Sequence, residues 1–96
     1  MKEQDLQSKI IKELKNDGWD VVKTILLSKN GYPDLFAFKK GVTIFIEVKK
    51  PNGVRSKIQE YRIKELKKEG FNAEFIDSMD GLKNMLLNTS ITILTI

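Results

Sequence analysis

One stretch constrains this chain more than any other: Pro33 to Lys50, PDLFAFKKGVTIFIEVKK. Two apolar-rich runs flank Lys40-Gly41, a pattern that predicts a β-hairpin, with Pro33 at the strand entrance where proline is tolerated. In the second run Val42, Ile44, Ile46 and Val48 share one parity, and Thr43, Phe45, Glu47 and Lys49 share the other. Glu47 and Lys49 therefore project from one face, a single pleat apart. If Lys40-Gly41 is a two-residue turn, paired positions sum to 81 and Asp34 lies opposite Glu47. A four-residue loop keeps this register, whereas a three-residue bulged loop shifts it by one.

Directly opposed residues hold their Cβ atoms roughly 5 Å apart. At an effective dielectric near 20, two unit charges at that distance repel by about 3 kcal/mol. A favourable cross-strand pair contributes only about 0.2–1 kcal/mol, so folding alone does not account for two facing carboxylates. A hard divalent cation does, because paired carboxylate oxygens suit Mg²⁺ or Mn²⁺ and leave room for water as nucleophile. Lys49 beside them can orient that water or stabilise a phosphorane-like transition state. The plainer alternative is an exposed hairpin with a Glu–Lys salt bridge on its polar face.

The motifs also occur in a telling order: Gly31-Tyr32-Pro33-Asp34-Leu35, then Ile46-Glu47-Val48-Lys49-Lys50-Pro51, then Ser56-Lys57-Ile58-Gln59. This arrangement resembles the PD-(D/E)xK nuclease superfamily, and more narrowly the small stand-alone VRR-NUC domains of phages and bacteria, over about Lys2 to Leu86. The resemblance implies a metal-dependent phosphodiesterase. Asp34 and Glu47 would hold Mg²⁺ or Mn²⁺, helped by the Val48 carbonyl, and Lys49 would position the attacking water. It also implies a restriction-endonuclease-like αβββαβ core and a homodimer acting on branched DNA such as Holliday junctions.

The rest of the chain is read around that core. Residues 3–17 predict a helix with Leu6, Ile10, Ile11 and Leu14 as its apolar stripe. Glu3 and Gln7 fall inside the stripe. A first-turn glutamate favours the helix dipole, but its inward azimuth, together with the acidic residue that the resembled nucleases carry there, makes Glu3 an auxiliary site residue. Gln7 is a weaker candidate. Residues 19–27 (WDVVKTILL) predict a strand with poor alternation, hence an internal one.

Ser56 opens a helix to about Glu69, and Ser56-x-x-Gln59 forms a capping box. Gln59 and Arg62 lie on its inward face between Ile58, Ile63 and Leu66, where polar groups need partners. A metal-bound water or the scissile phosphate would serve. The resembled family has a glutamine here, so Gln59 joins the expected site. Residues 71–77 predict a strand, Ser78 caps a short helix, and Ile91 to Ile96 (ITILTI) predict a closing strand. The fold class expected is α/β: a mixed sheet with a central antiparallel hairpin flanked by helices, an αβββαβ core plus a C-terminal helix and strand.

Composition narrows the chemistry. At 96 residues the chain is one domain, 1–96, near the lower limit for a single stable core. It has neither cysteine nor histidine, which excludes disulfides, thiol catalysis and Cys/His zinc sites and leaves oxygen ligands for any metal. No apolar run approaches membrane-spanning length and no signal-peptide pattern is present, so no membrane association and a cytoplasmic location are expected. The formal charge is +4 and unevenly placed: Lys39 to Lys68 hold ten Lys/Arg against three Glu, a local +7. That surface suits a polyanion, most simply nucleic acid. Two further functions fit the pattern: a non-catalytic basic DNA-binding module, and a structural oligomer joined through ITILTI.

Overall fold

The computed structural model describes residues 2–24 and 31–95, with the backbone alone from 90 onward. The elements are α1 (Glu3–Asn16), β1 (Asp20–Lys23), β2 (Leu35–Lys39), β3 (Val42–Val48), α2 (Lys57–Lys68), β4 (Asn72–Ile76) and α3 (Met79–Thr95). They form one four-stranded sheet in the order β1-β2-β3-β4. The first two pairings are antiparallel, while β3 and β4 run parallel with α2 as the crossover that such a pair requires. This is the expected mixed α/β fold.

The hairpin has the predicted register. Leu35 pairs with Ile46, Phe36 with Phe45 and Lys39 with Val42. Lys40 and Gly41 both take left-handed backbone, at φ 50° and 79°, the conformation of a two-residue type I′ turn whose twist matches the strands. Glycine adopts it freely at the second position.

Alternation along the strands separates two cores. Leu35, Ala37, Ile44, Ile46, Val48 and Ile76 point to one face, where Leu6, Ile10 and Leu14 of α1 and Leu82 and Met85 of α3 cover them. On the other face Ile63 and Leu66 of α2 pack on Ala73, with Phe45 and Phe75 alongside. Asp34 and Glu47 lie at the end of the sheet where β2 begins and β3 finishes.

Two expectations fail. The first strand is shorter than 19–27 and sits at an edge, not inside: β1 pairs only with β2. Its poor alternation reflects a half-covered edge, with Val22 37% exposed; residues 25–30 lie outside the described residues. The predicted closing strand is not a strand. Residues 91–95 continue α3, and Ile96 lies outside the described residues. The Ser78 hydroxyl accepts from the Gly81 amide and starts this helix, and neither glycine nor proline follows Gly81. Helix growth adds a bond per residue, which outweighs the few tenths of a kcal/mol each β-branched residue disfavours it. The short helix is therefore long, and among the described residues no C-terminal strand is present to pair two chains.

Candidate active site

Five side chains chosen from the sequence converge at the open end of the β2–β3 hairpin. Asp34 is fixed first. Its carbonyl accepts from the Thr24 amide, and the Thr24 hydroxyl donates to the carbonyl of Pro33, so the residue that follows β1 clamps the backbone just before and at the aspartate. The Asp34 Oδ2 then accepts from the Val48 amide at 2.9 Å, across the hairpin. Glu47, one residue earlier on β3, is only 3% exposed.

Three groups surround Glu47. The Gln59 Nε2 donates to its Oε2 at 3.0 Å, and the Lys49 Nζ stands 3.8 Å from the same oxygen. Gln59 also completes the capping box of α2. Its Oε1 accepts from the Ser56 amide at 3.1 Å, while the Ser56 hydroxyl accepts from the Gln59 amide at 3.2 Å. The structural and site readings of Gln59 thus hold together, one through each end of the side-chain amide. Glu3, from the first turn of α1, accepts loosely from the Lys50 amide at 3.4 Å. It lies close enough for its charge to act on both Asp34 and Glu47.

Electrostatics make this pair unusual. Burial pushes the Glu47 carboxyl up from 4.5 to about 8, reinforced by the Asp34 charge and opposed by Lys49. Burial also raises Asp34, against the lowering effect of the Val48 amide. The Asp34 charge adds to the rise at Glu47, so Glu47 is the member of the pair that holds a proton when no cation is present. A proton on Glu47 occupies the electrostatic role that a cation would fill.

That donor set fits a small hard cation. Among the described residues no three His, Cys, Asp or Glu side chains are grouped to enclose a metal. Two carboxylates with a neighbouring carbonyl, completed by water and substrate oxygens, match the way Mg²⁺ is held and do not match a closed protein cage. Beside Asp34 a cavity of about 150 Å³, lined also by Gln7, Lys23 and Thr24, leaves room for such oxygens. Gln7, the weaker candidate, therefore borders the site.

Sequence reasoning missed Thr24; its one signal was a lone hydroxyl in an apolar run. It also misjudged Arg62, which is satisfied by protein: its Nη1 lies 3.4 Å from Glu65 Oε1 and its guanidinium lies over two tyrosine rings.

A four-stranded mixed sheet carrying Asp34, Glu47 and Lys49 on adjoining strand ends is the arrangement of a nuclease of the PD-(D/E)xK superfamily. The family model of the archaeal Holliday junction resolvase (Hjc) matches residues 2–78, and the chain belongs to that family. Among solved structures, one described as a VRR_NUC domain superposes with a TM-score of 0.78 at 24% identity, covering 88% of this chain and 92% of its own. A VRR_NUC domain protein gives 0.72 at 22% identity, covering 92% and 87%. At these identities the likeness is one of fold. No curated protein matches the chain.

Proposed function

We propose that this nuclease is a divalent-metal-dependent DNA endonuclease, selective for branched DNA such as Holliday junctions and active as a homodimer. The observation that carries the reading is the buried Glu47 beside the half-buried Asp34, with the Lys49 ammonium alongside. Membership of a resolvase family supports the branched substrate. Size supports the dimer, since 96 residues do not span a four-way junction and two copies supply two sites for paired cuts.

In this reading Asp34, Glu47 and the Val48 carbonyl hold Mg²⁺ or Mn²⁺. The cation, when bound, polarises the phosphoryl oxygens and lowers the pKa of water. The chain's own residues do the rest. Lys49 orients the incoming water toward phosphorus and offsets the negative charge that builds in the transition state. Gln59 fixes the Glu47 carboxylate so that its second oxygen keeps one direction. Glu3 adds negative charge beside the pair, strengthening its attraction for a cation. Bond cleavage between phosphorus and the leaving oxygen then yields two ends, one carrying phosphate.

Purified protein incubated with linear, nicked, flapped and four-way DNA, with and without Mn²⁺, tests this. Metal-dependent cuts on the four-way substrate are expected. Binding without cleavage in any metal identifies a DNA-binding module instead.

A further inference from the structure

Beyond the carboxylates, the outer face of α2 carries a feature that the chemistry above does not use. Lys57, Tyr61, Lys64 and Lys68 follow one another at spacings of four, three and four, which places them on a single stripe of the helix. All four are exposed. Tyr61 is 55% exposed, and it walls a cleft of about 350 Å³ lined by Lys64, Glu65, Lys68 and Glu69.

The ring is held in place rather than left loose. Its hydroxyl donates to Glu65 Oε2 at 2.8 Å. The Arg62 guanidinium lies 5.5 Å from its centroid and 5.6 Å from that of Tyr32. Tyr32 is two residues ahead of Asp34, and Gln59, on the preceding half-turn of α2, touches Glu47. The arginine thus joins the Tyr61 ring to Tyr32, in the segment that leads into Asp34. Gly31, just before Tyr32, lets that segment pack closely on α2. A Cβ added there would come within 2.5 Å of the Ile58 side chain and 2.9 Å of its backbone.

A flat, oriented aromatic face between ammonium groups has a specific chemical complement. Phenol and guanidinium planes stack on nucleobases, and lysines spaced along a helix meet the phosphates on either side. Inside a duplex every base already has both faces stacked, so only an unpaired nucleotide can use the Tyr61 ring.

We propose that the outer face of α2 binds an unpaired nucleotide of the DNA substrate, its base on Tyr61 and its phosphates on Lys64 and Lys68. The inference rests on the nuclease reading for its substrate and adds a subsite for a nucleotide unstacked at, or unpaired beside, the branch point. It makes a flap, gap or open branch point a better substrate than continuous duplex of the same sequence.

Binding in EDTA tests it apart from cleavage. The probes are a flush duplex and the same duplex with a single-stranded flap, carrying 2-aminopurine at the first unpaired position. Wild type is expected to favour the flapped probe and to quench its fluorescence. Tyr61→Ala is expected to lose roughly tenfold in affinity for the flap while flush-duplex binding stays as in wild type. Tyr61→Phe, which keeps the ring and drops the Glu65 bond, is expected to bind as wild type. Equal affinity of Tyr61→Ala and wild type for the flap, or equal losses on both probes, overturns the proposal. Protein that cuts no DNA in any metal yet shows Tyr61-dependent flap binding sinks the nuclease reading and leaves this one standing.

Discussion

Gln59 and Glu47 are joined by a 3.0 Å hydrogen bond between side chains, while the other end of the same glutamine caps α2. The helix start and the buried carboxylate are thereby locked to each other. Losing one such side chain should show in stability and in catalysis together. Gln59→Ala should cost about 1 kcal/mol in urea unfolding, from the lost cap bond and the lost Glu47 partner. It should also slow cleavage. Gln59→Glu retains an acceptor for the Ser56 amide but sets a third acid against the pair. Its helix should persist while its cleavage falls, and a Gln59→Glu enzyme as fast as wild type would contradict the positioning role.

Metal should act on folding as well as on chemistry. A cation that binds only the native state raises the melting temperature with concentration. Mg²⁺ or Mn²⁺ should therefore stabilise wild type, whereas Asp34→Asn should be more stable than wild type without metal and indifferent to it. Thermal melts of both proteins across a Mn²⁺ series decide this. Equal shifts would sink the shared site.

The raised Glu47 carboxyl gives a pH dependence of unusual sign. Its folded pKa, about 8, lies above its ordinary value of 4.5, so the folded state binds the proton more tightly than the unfolded chain. Metal-free stability is then highest below about 4.5, falls as pH rises and levels off above about 8. The loss should reach a few kcal/mol, at roughly 1.4 kcal/mol per pH unit of separation. Glu47→Gln, which can still accept from Gln59, should flatten the curve. Chemical denaturation in EDTA between pH 5 and 8.5 measures the slope; a wild-type stability that climbs over that range would be incompatible with the buried Glu47 acid.

Lys49 should separate binding from cutting. Its side chain is 14% exposed beside Glu47, whereas the lysines of α2 face solvent. Lys49→Ala should lose cleavage by orders of magnitude and keep its affinity for DNA, because affinity comes mostly from phosphate contacts elsewhere. Single-turnover cleavage alongside a binding titration resolves the two.

Assembly is open to direct measurement. Light scattering should give the mass of two chains, alone or on adding junction DNA. A single-chain mass under both conditions would rule out the dimeric resolvase.

Local rules made the hairpin and the placement of its charged residues readable from sequence. A two-residue turn, strand alternation and proline placement are short-range constraints, so Asp34 and Glu47 could be paired by counting. Ser56 and Gln59 were readable for the same reason. Glu3 was harder, since only the azimuth of an apolar stripe and a resemblance carried it across to Lys50. Edge against interior was not legible for β1, because neighbours in a sheet are chosen by the whole chain. ITILTI misled because strand propensity is a property of six residues, while the helix that absorbed them began at Ser78. Arg62 has partners that come from a loop and from its own helix turn, which no wheel displays.

The tip of the hairpin behaves toward the site as a start codon does toward a message. Lys40 and Gly41 sit seven and six residues from Glu47, about 20 Å away along the strand, and touch none of the chemistry. Yet they set the phase in which β2 is read against β3. One residue inserted after Gly41 slides every later partner by one and turns Glu47 to the opposite face of the sheet, among the aliphatic side chains under α1. A pair of inserted residues that simply lengthens the loop keeps the phase. At a hairpin tip remote from the carboxylates, length thus matters more than identity.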